Sequence, residues 1–469
     1  MIRTKIIATI GPGSESPAAI TALIDAGVDV FRLNFSHGTI ETHAAVFGRI
    51  AGARQAAGLP VAVMADLCGP KIRLGVIEGG GFTIRPGDRV ALDADATSGS
   101  PKRVGVNRPQ LMGEVKEGHR ILIDDGNVEL RVEGVTPSAL NCICVIGGRL
   151  SDRKGMNFPD SDLAVSTLTA KDLSDLKWIV GQEFDYVALS FVRSAADIAE
   201  LRKQLPAGSP IQIVAKIETR HATRCLDEII GAADAVMVAR GDLAVEVDLA
   251  TVPLIQKDIA RRCRIAGKPM IVATQMLQSM VERPTPTRAE VSDVANAILD
   301  EADCVMLSAE TAVGPYALEA VRMMGRIAQK TEAFPKLEPG AAILSPQTRA
   351  VTTAVGHGAS VLCRELGVKL VAVWTESGRT ARLLSKHRVP ATIVGLSADA
   401  AICRRTAMYY GVRPMQLWRN GDNDEMLREL DGALKAAGLA VSGDRIIVVA
   451  GTYLDDPGAT NALLIHLVG

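Results

Sequence analysis

The sequence predicts an α/β protein organised around a (β/α)8 TIM barrel, interrupted by an inserted β-rich domain and followed by a C-terminal α/β domain. Three observations carry this reading. Eight short apolar segments alternate with helix-length segments, and eight parallel strands close such a barrel. Polar residues gather where those segments end, at the side of a barrel that carries its chemistry. Between the third and fourth segments the rhythm breaks into Gly-rich, short alternating runs.

Lys5 to Ile10 reads as the first strand, followed by a Gly11-Pro12-Gly13 turn and a helix from about Pro17 to Ala26. Val30 to Phe35 is the second strand; Arg32, Asn34 and the following Ser36 share one face at period two. A helical segment to Ala57 leads to a third strand, Val61 to Ala65, ending at Asp66. From Lys71 to Val165 come runs such as Arg89 to Ala94 and Lys102 to Val106, and a hairpin that turns at Asp124 to Asn127. This stretch reads as a β-barrel domain of its own. Alternation resumes at Ala170, with strands over Tyr186 to Phe191, Ile211 to Ile217, Ala235 to Ala239, Pro269 to Thr274 and Cys304 to Ser308. A linker marked by Pro335, Pro339, Gly340 and Pro346 precedes a last α/β unit of four or five strands, among them VKLVAVWT, ATIVGLS, PMQLW and RIIVVAGT. The expected division is 1–70 with 166–335 for the barrel, 71–165 for the insert and 345–469 for the C-terminal domain.

The most informative stretch runs from Ile211 to Asp242. Its first strand ends in Lys216 and Glu218, which point one way while Ile217 points the other. Its second ends in Arg240-Gly241-Asp242, and the cluster of strand-end polar residues extends to Thr274 and Glu310. Charges at buried strand ends are costly unless paired or bound to something. Two readings stand side by side: a structural salt bridge around Lys216, or a cation and two carboxylates converging on a metal-bound anion.

Bulk properties narrow the function classes. At 469 residues the chain is too long for one ordinary domain. It is 48% apolar but only 3% aromatic, so its cores are aliphatic, which suits parallel sheets. A net charge of −1, without basic clusters, argues against nucleic acid as a partner. The eight cysteines show no C-x-x-C spacing, which points to a reducing, cytoplasmic setting. The N-terminus lacks a signal-peptide pattern, and no apolar run reaches the roughly 18 residues a membrane helix needs.

The strings RTKIIATIGP, FRLNFSHG, DLCGPKIR, LSDRKGMNFP, ALSFVRS, AKIE, MVARGDL, ATQMLQSM, RPTPTRAEVSDVANAILDEAD and MLSAETAVGPY, in this order, resemble the pyruvate kinase family over nearly the whole chain. That resemblance implies phosphoryl transfer from phosphoenolpyruvate to ADP, giving pyruvate and ATP, the last step of glycolysis. It implies a homotetramer, an insert acting as a lid, and a C-terminal domain that regulates through a phosphorylated effector. By the same resemblance, Glu218 and Asp242 hold magnesium, and Lys216 follows the phosphoryl group as it moves. Arg32 and Arg73 clamp phosphate oxygens, while the backbone of Ala239, Arg240, Gly241 and Asp242 receives the substrate carboxylate. Thr274 lies near the enol carbon that gains a proton, as a relay or water-orienting group, since its hydroxyl is too weak an acid to act alone. Asn34, His37, Arg73 and Lys154 surround ADP. Asn34, Ser36, Asp66 and Leu67 frame a monovalent-cation pocket.

The chain departs from the family pattern at several points. Ala309 and Val313 stand where Gly and Lys are common, a variation that leaves the chemistry intact. Where many members read DTKGPE, this chain reads Asp66-Leu67-Cys68-Gly69-Pro70-Lys71. An ammonium is a compact monovalent cation, so Lys71 is expected to fill the pocket and make potassium dispensable; Leu74 fits the same pattern. Cys68 reads as an unreactive thiol. Thr375, Ser377, Gly378, Arg379 and Thr380 form a strand-to-helix loop suited to phosphate. The segment from Asp456 to Asn461 offers no basic partner for a second phosphate, which favours a monophosphate effector. Two rival readings are a carbon–carbon lyase or mutase acting on enolpyruvate-type substrates, and an inactive regulatory paralogue. The insert and Lys154 argue against the first, and the filled catalytic positions argue against the second.

Overall fold

The computed structural model describes residues 2–94, 96, 98–108, 113–161, 163, 166–334, 350–418, 422–451 and 460–469. The expected linker at 335–346 and residues 452–459, which include Asp456 to Ala459, lie outside the described residues.

Eight parallel strands close into a barrel in chain order: Lys5–Thr9, Val30–Asn34, Ala62–Asp66, Tyr186–Leu189, Gln212–Ile217, Ala235–Ala239, Met270–Ala273 and Cys304–Leu307. The eighth strand pairs with the first. Side-chain alternation sorts each strand into two environments. Ile6, Phe31, Leu33, Val63, Ile213 and Ala215 pack outward against the helices. Ile7, Val30, Met64, Tyr186, Val214 and Met237 fill the interior. By the same parity Arg32, Asp66 and Lys216 point inward, one layer above that filling. The helices behind the strands start at side-chain caps. Thr39, Thr169 and Thr287 each form a capping box, and Gly58 ends the Ile40–Ala57 helix in the left-handed region at φ 62°.

The insert has its own apolar core, built around Leu74, Ile121, Leu130 and Leu150. Seven strands form one sheet, in the order Ile72–Arg73, Gly155–Asn157, Arg120–Ile123, Val128–Val135, Ala139–Ile146, Arg89–Asp93 and Arg103–Gly105. A single bridge, Leu74 to Val106, brings its two edges together. The expected hairpin turns through Asp124, Asp125 and Gly126, all at positive φ.

The C-terminal sheet has five strands, in the order Val412–Gln416, Thr392–Ser397, Leu370–Trp374, Arg445–Ala450 and Ala462–Leu467. The Val412–Gln416 strand lies two residues ahead of the PMQLW reading. It is an edge strand, so Pro414 is tolerated inside it. Ala462–Leu467 runs antiparallel on the other edge. This domain seals the end of the barrel where the strands begin. The Tyr186 hydroxyl donates to the Arg405 carbonyl at 2.5 Å, Arg404 Nε donates to Asp185 Oδ1 at 2.9 Å, and Lys386 pairs with Asp303. The opposite end stays available for chemistry. No helix among the described residues is long and apolar enough to cross a membrane.

Candidate active site

Four charges occupy the top layer of the barrel interior. Register sets Thr9 beside Arg32 and Asn34 beside Asp66 on adjacent strands. Arg32 grips Asp66 Oδ2 with Nε and Nη2, each at 2.6 Å, and donates from Nη1 to Thr9 Oγ1 at 3.0 Å. Lys216 Nζ lies 3.3 Å from Asp66 Oδ1, 2.8 Å from Glu218 Oε1 and 2.8 Å from Ser190 Oγ. Lys216 and Arg32 are each 9% exposed, Asp66 and Glu218 each 1%. Unpairing any one of them would cost about 3–5 kcal/mol. Burial opposes the charge on Lys216, but Asp66 and Glu218 outweigh it and hold the ammonium above its ordinary pKa. Burial likewise pushes the Asp66 carboxyl up, and Lys216 with Arg32 reverses that to hold it below its ordinary value. Glu218 is raised, by burial first, with the nearby Asp242 charge adding to the effect.

Two neighbours hold this cluster from the fourth strand, and sequence reasoning missed both. The Ser190 hydroxyl donates to the Leu67 carbonyl at 2.7 Å while accepting from Lys216. The Phe191 amide donates to Glu218 Oε2 at 2.7 Å from a backbone at φ +56°. Thr9 is the third missed residue; its place on the inward face of the first strand, two residues after Ile7, was the available signal.

The strand-end loops that follow arrange the rest. Arg240 commits its guanidinium to Asp293 at 2.7 and 2.6 Å and to the Thr274 carbonyl at 3.0 Å. The Gly241 amide, expected to be open to a carboxylate, donates instead to Thr274 Oγ1 at 2.7 Å. Glu310 is buried and accepts the Leu277 and Ser308 amides, a structural cap rather than a member of the charged cluster. Asp242 opens the Arg240–Glu246 helix and pairs with Lys71 Nζ at 3.3 Å.

Lys71 therefore reaches over the barrel mouth, and among the described residues its ionic partner is Asp242. The expected cation pocket of Asn34, Ser36, Asp66 and Leu67 is knitted together by other groups: Asn34 Oδ1 accepts the Ser36 amide at 3.1 Å, and Arg32 and Lys216 engage both Asp66 oxygens. His37 stays close to this charge; burial lowers its pKa, with Arg73, Arg32 and Lys71 adding to the effect. Arg73 and Lys154 lie on the insert. Arg73 Nη1 donates to the Arg153 carbonyl at 3.2 Å, and Lys154 Nζ to Asp124 Oδ1 at 2.5 Å. Asn157 of the insert donates to Glu246 Oε1 at 3.1 Å, tying the insert to the helix that carries Asp242. A cavity of about 200 Å³ lies at that junction, between Met156 and Phe158 on one side and Phe191 and Arg220 on the other. It adjoins the charged cluster at Lys71 and Phe191 without including Lys216.

The loop from Thr375 to Thr380 is divided in exposure. Ser377 and Arg379 face outward, with the Arg379 amide donating to Ser377 Oγ at 3.4 Å, and Gly378 adopts φ +78° at the start of the Arg379–Lys386 helix. Thr375 and Thr380 are buried, and the Thr380 hydroxyl bonds to that of Thr460 at 2.7 Å. Among the described residues no three His, Cys, Asp or Glu side chains converge as a ready metal cage.

Comparison with known proteins gives this geometry its family. A model of the pyruvate kinase barrel domain matches residues 1–321, and one of the pyruvate kinase alpha/beta domain matches residues 353–466. The chain is 41% identical over 463 residues to a pyruvate kinase of Agrobacterium vitis, covering 98% of this chain and 96% of that one. Against a pyruvate kinase of Geobacillus stearothermophilus it is 39% identical over 474 residues, covering 99% and 80%. A crystal structure of a pyruvate kinase from Cryptosporidium parvum matches with a TM-score of 0.92 at 32% identity, covering 100% of this chain and 96% of that one. With the barrel, the C-terminal sheet and near-full-length relatives in agreement, the chain belongs to the pyruvate kinase family and is an enzyme of it.

Proposed function

We propose that the enzyme transfers the phosphoryl group of phosphoenolpyruvate to ADP, giving pyruvate and ATP, with magnesium and without a need for potassium. The observation that carries this reading is the buried ammonium of Lys216, set 2.8 Å from Glu218 and 3.3 Å from Asp66 beneath the insert. Phosphoryl transfer has a loose, anionic transition state, so its catalysts position groups and neutralise charge. Glu218 and Asp242 suit magnesium: both are hard oxygen donors, and Glu218 Oε1 is buried with the Lys216 ammonium 2.8 Å away as its counter-charge. Two carboxylates leave room for substrate oxygens and water, and the bound ion would neutralise charge on the substrate's carboxylate and phosphoryl oxygens. Arg32, already anchored to Asp66 and Thr9, presents its guanidinium edge to phosphate. Lys216 supplies the positive charge that the moving phosphoryl group needs most in flight. Thr274 orients the water or relay that protonates the enol carbon.

Around this centre, residues 71–165 act as a lid hinged near Pro70 and Ser166, bringing Arg73 and Lys154 to ADP beside Asn34 and His37. Lys71 replaces the monovalent cation. In support, its ammonium is held at the barrel mouth, 3.3 Å from Asp242. A phosphorylated effector at Thr375 to Thr380, a homotetramer and a cytoplasmic location complete the reading; the homotetramer rests on family resemblance and the location on the cysteine pattern. The test is ATP formation by the purified protein from phosphoenolpyruvate, ADP and magnesium, with sodium or tetraalkylammonium salts at constant ionic strength. Near-full turnover is expected. Consumption of phosphoenolpyruvate without ATP would favour the lyase or mutase reading, and silence until potassium is added would refute the role given to Lys71.

A further inference from the structure

We infer that Ser190 is a positioning residue for Lys216, and that the Ser190-Phe191 corner is the fixed reference against which the reactive end of the barrel is set. The inference rests on the phosphoryl-transfer reading above and adds a residue to it.

Four observations converge. Ser190 is 2% exposed, and its single hydroxyl is spent in both directions, donating to the Leu67 carbonyl at 2.7 Å and accepting from Lys216 Nζ at 2.8 Å. The next residue, Phe191, sits at φ +56°, a conformation rare for a bulky side chain, and thereby aims its amide at Glu218 Oε2. Gly69 crosses over this corner at φ +67°. A Cβ added there would stand 2.9 Å from both Ser190 Cβ and Phe191 Cδ2. The Gly69 amide in turn donates to Asp172 Oδ1, a carboxylate with no exposure that belongs to a helix capping box. One rigid corner thus sets the ammonium of Lys216 and one oxygen of Glu218, and is itself clamped from above.

The three donors of Lys216 have unequal partners. Asp66 and Glu218 are charged groups that substrate and cation will compete for. Ser190 is neutral, buried, anchored to the Leu67 carbonyl and outside that competition. Its hydroxyl holds the ammonium in place while the other two contacts are exchanged for substrate oxygens, which is preorganisation of a charge toward a transition state.

The test is Ser190→Ala, with Ser190→Thr as the variant that keeps the hydroxyl. A lost hydrogen bond to a charged group predicts a fall in kcat of roughly 10- to 100-fold. KM for phosphoenolpyruvate should stay within about threefold of wild type, because the contact matters as the group moves. Manganese affinity, read by paramagnetic resonance, should be unchanged, because the Phe191 amide still holds Glu218. Ser190→Thr should be faster than Ser190→Ala by about tenfold or more. A Ser190→Ala kcat within threefold of wild type would overturn the assignment. So would a Thr variant as slow as Ala, or a manganese affinity that falls with kcat, since either shows only a general support of the corner. Wild-type turnover is measured alongside, so failure of the reaction itself is seen separately.

Discussion

Thr274 Oγ1 accepts the backbone N–H of Gly241 at 2.7 Å while donating to the Ala273 carbonyl at 2.6 Å. The hydroxyl expected near the enol carbon is thus closed on itself in the resting site. Thr274 holds this pose at φ +72°, which a β-branched residue adopts only at a cost of order 1–3 kcal/mol. A substrate carboxylate that took the Gly241 amide would remove a donor from the Thr274 oxygen, leaving that lone pair open to a water while the hydroxyl proton still points at the Ala273 carbonyl. Thr274→Val keeps the shape but leaves the amide unpaired. The expected result is a kcat lower by about 10- to 100-fold with KM for phosphoenolpyruvate unchanged or lower. A raised KM at unchanged kcat would show a ground-state binding role only.

Lys71→Glu should create a potassium requirement. Two cations about 4 Å apart at an effective dielectric near 20 repel by about 4 kcal/mol, so a lysine filling the pocket would disfavour a second ion. A glutamate at 71 would face Asp242 as a like charge and call for one. Activity without potassium should fall at least about tenfold in the variant and return when potassium is added. Potassium titrations that overlay wild type and variant would contradict the role given to Lys71.

The divided exposure of the Thr375 to Thr380 loop refines which substitution is informative. Ser377 faces outward, whereas Thr380 is buried against Thr460, so a charge at 380 would damage the fold as well as any site. Ser377→Asp should abolish activation by a sugar or nucleotide monophosphate and leave unstimulated turnover intact. Persistent activation would place the effector elsewhere.

His387 makes the C-terminal domain sensitive to acid. Burial, aided by His357 and Arg264, lowers its pKa to about 4 from an ordinary 6.5, and a Cβ at Gly356 would stand 2.8 Å from its ring. The unfolded chain therefore takes up this proton first as pH falls. The stability is complete above about pH 6.5 and is lost on the way down to about 4, by roughly 3 kcal/mol. His387→Gln should flatten that part of the stability curve. Parallel pH–stability curves for the two proteins would rule the residue out.

The barrel was legible because parallel strands buried on both faces are continuous apolar runs; Ala235 to Ala239 has the bounds the sequence suggests. Period-two alternation was also enough to set Arg32 and Asn34 on one face of their strand and to send Lys216 and Glu218 the same way at the end of theirs. What stayed hidden depends on backbone conformation and contacts distant in sequence. Nothing in the residue Phe191 announces a left-handed φ, and no local pattern shows that Ser190 bridges Leu67 and Lys216. Arg240 looked like part of the charged end of its strand, yet its guanidinium belongs to Asp293, 53 residues further on. The antiparallel strand Ala462–Leu467 half escaped notice because an edge strand with exposed Leu464 and Leu467 lacks a clean apolar signature.

The direct test of the central claim is the turnover of Lys216→Ala. If its ammonium serves the phosphoryl group between donor and acceptor, the loss should appear in kcat and not in substrate binding. A fall of about three orders of magnitude or more in kcat is expected, with KM for phosphoenolpyruvate and manganese affinity close to wild type. A variant that keeps its kcat and shows only a raised KM would contradict the account, because Lys216 would then be a ground-state anchor.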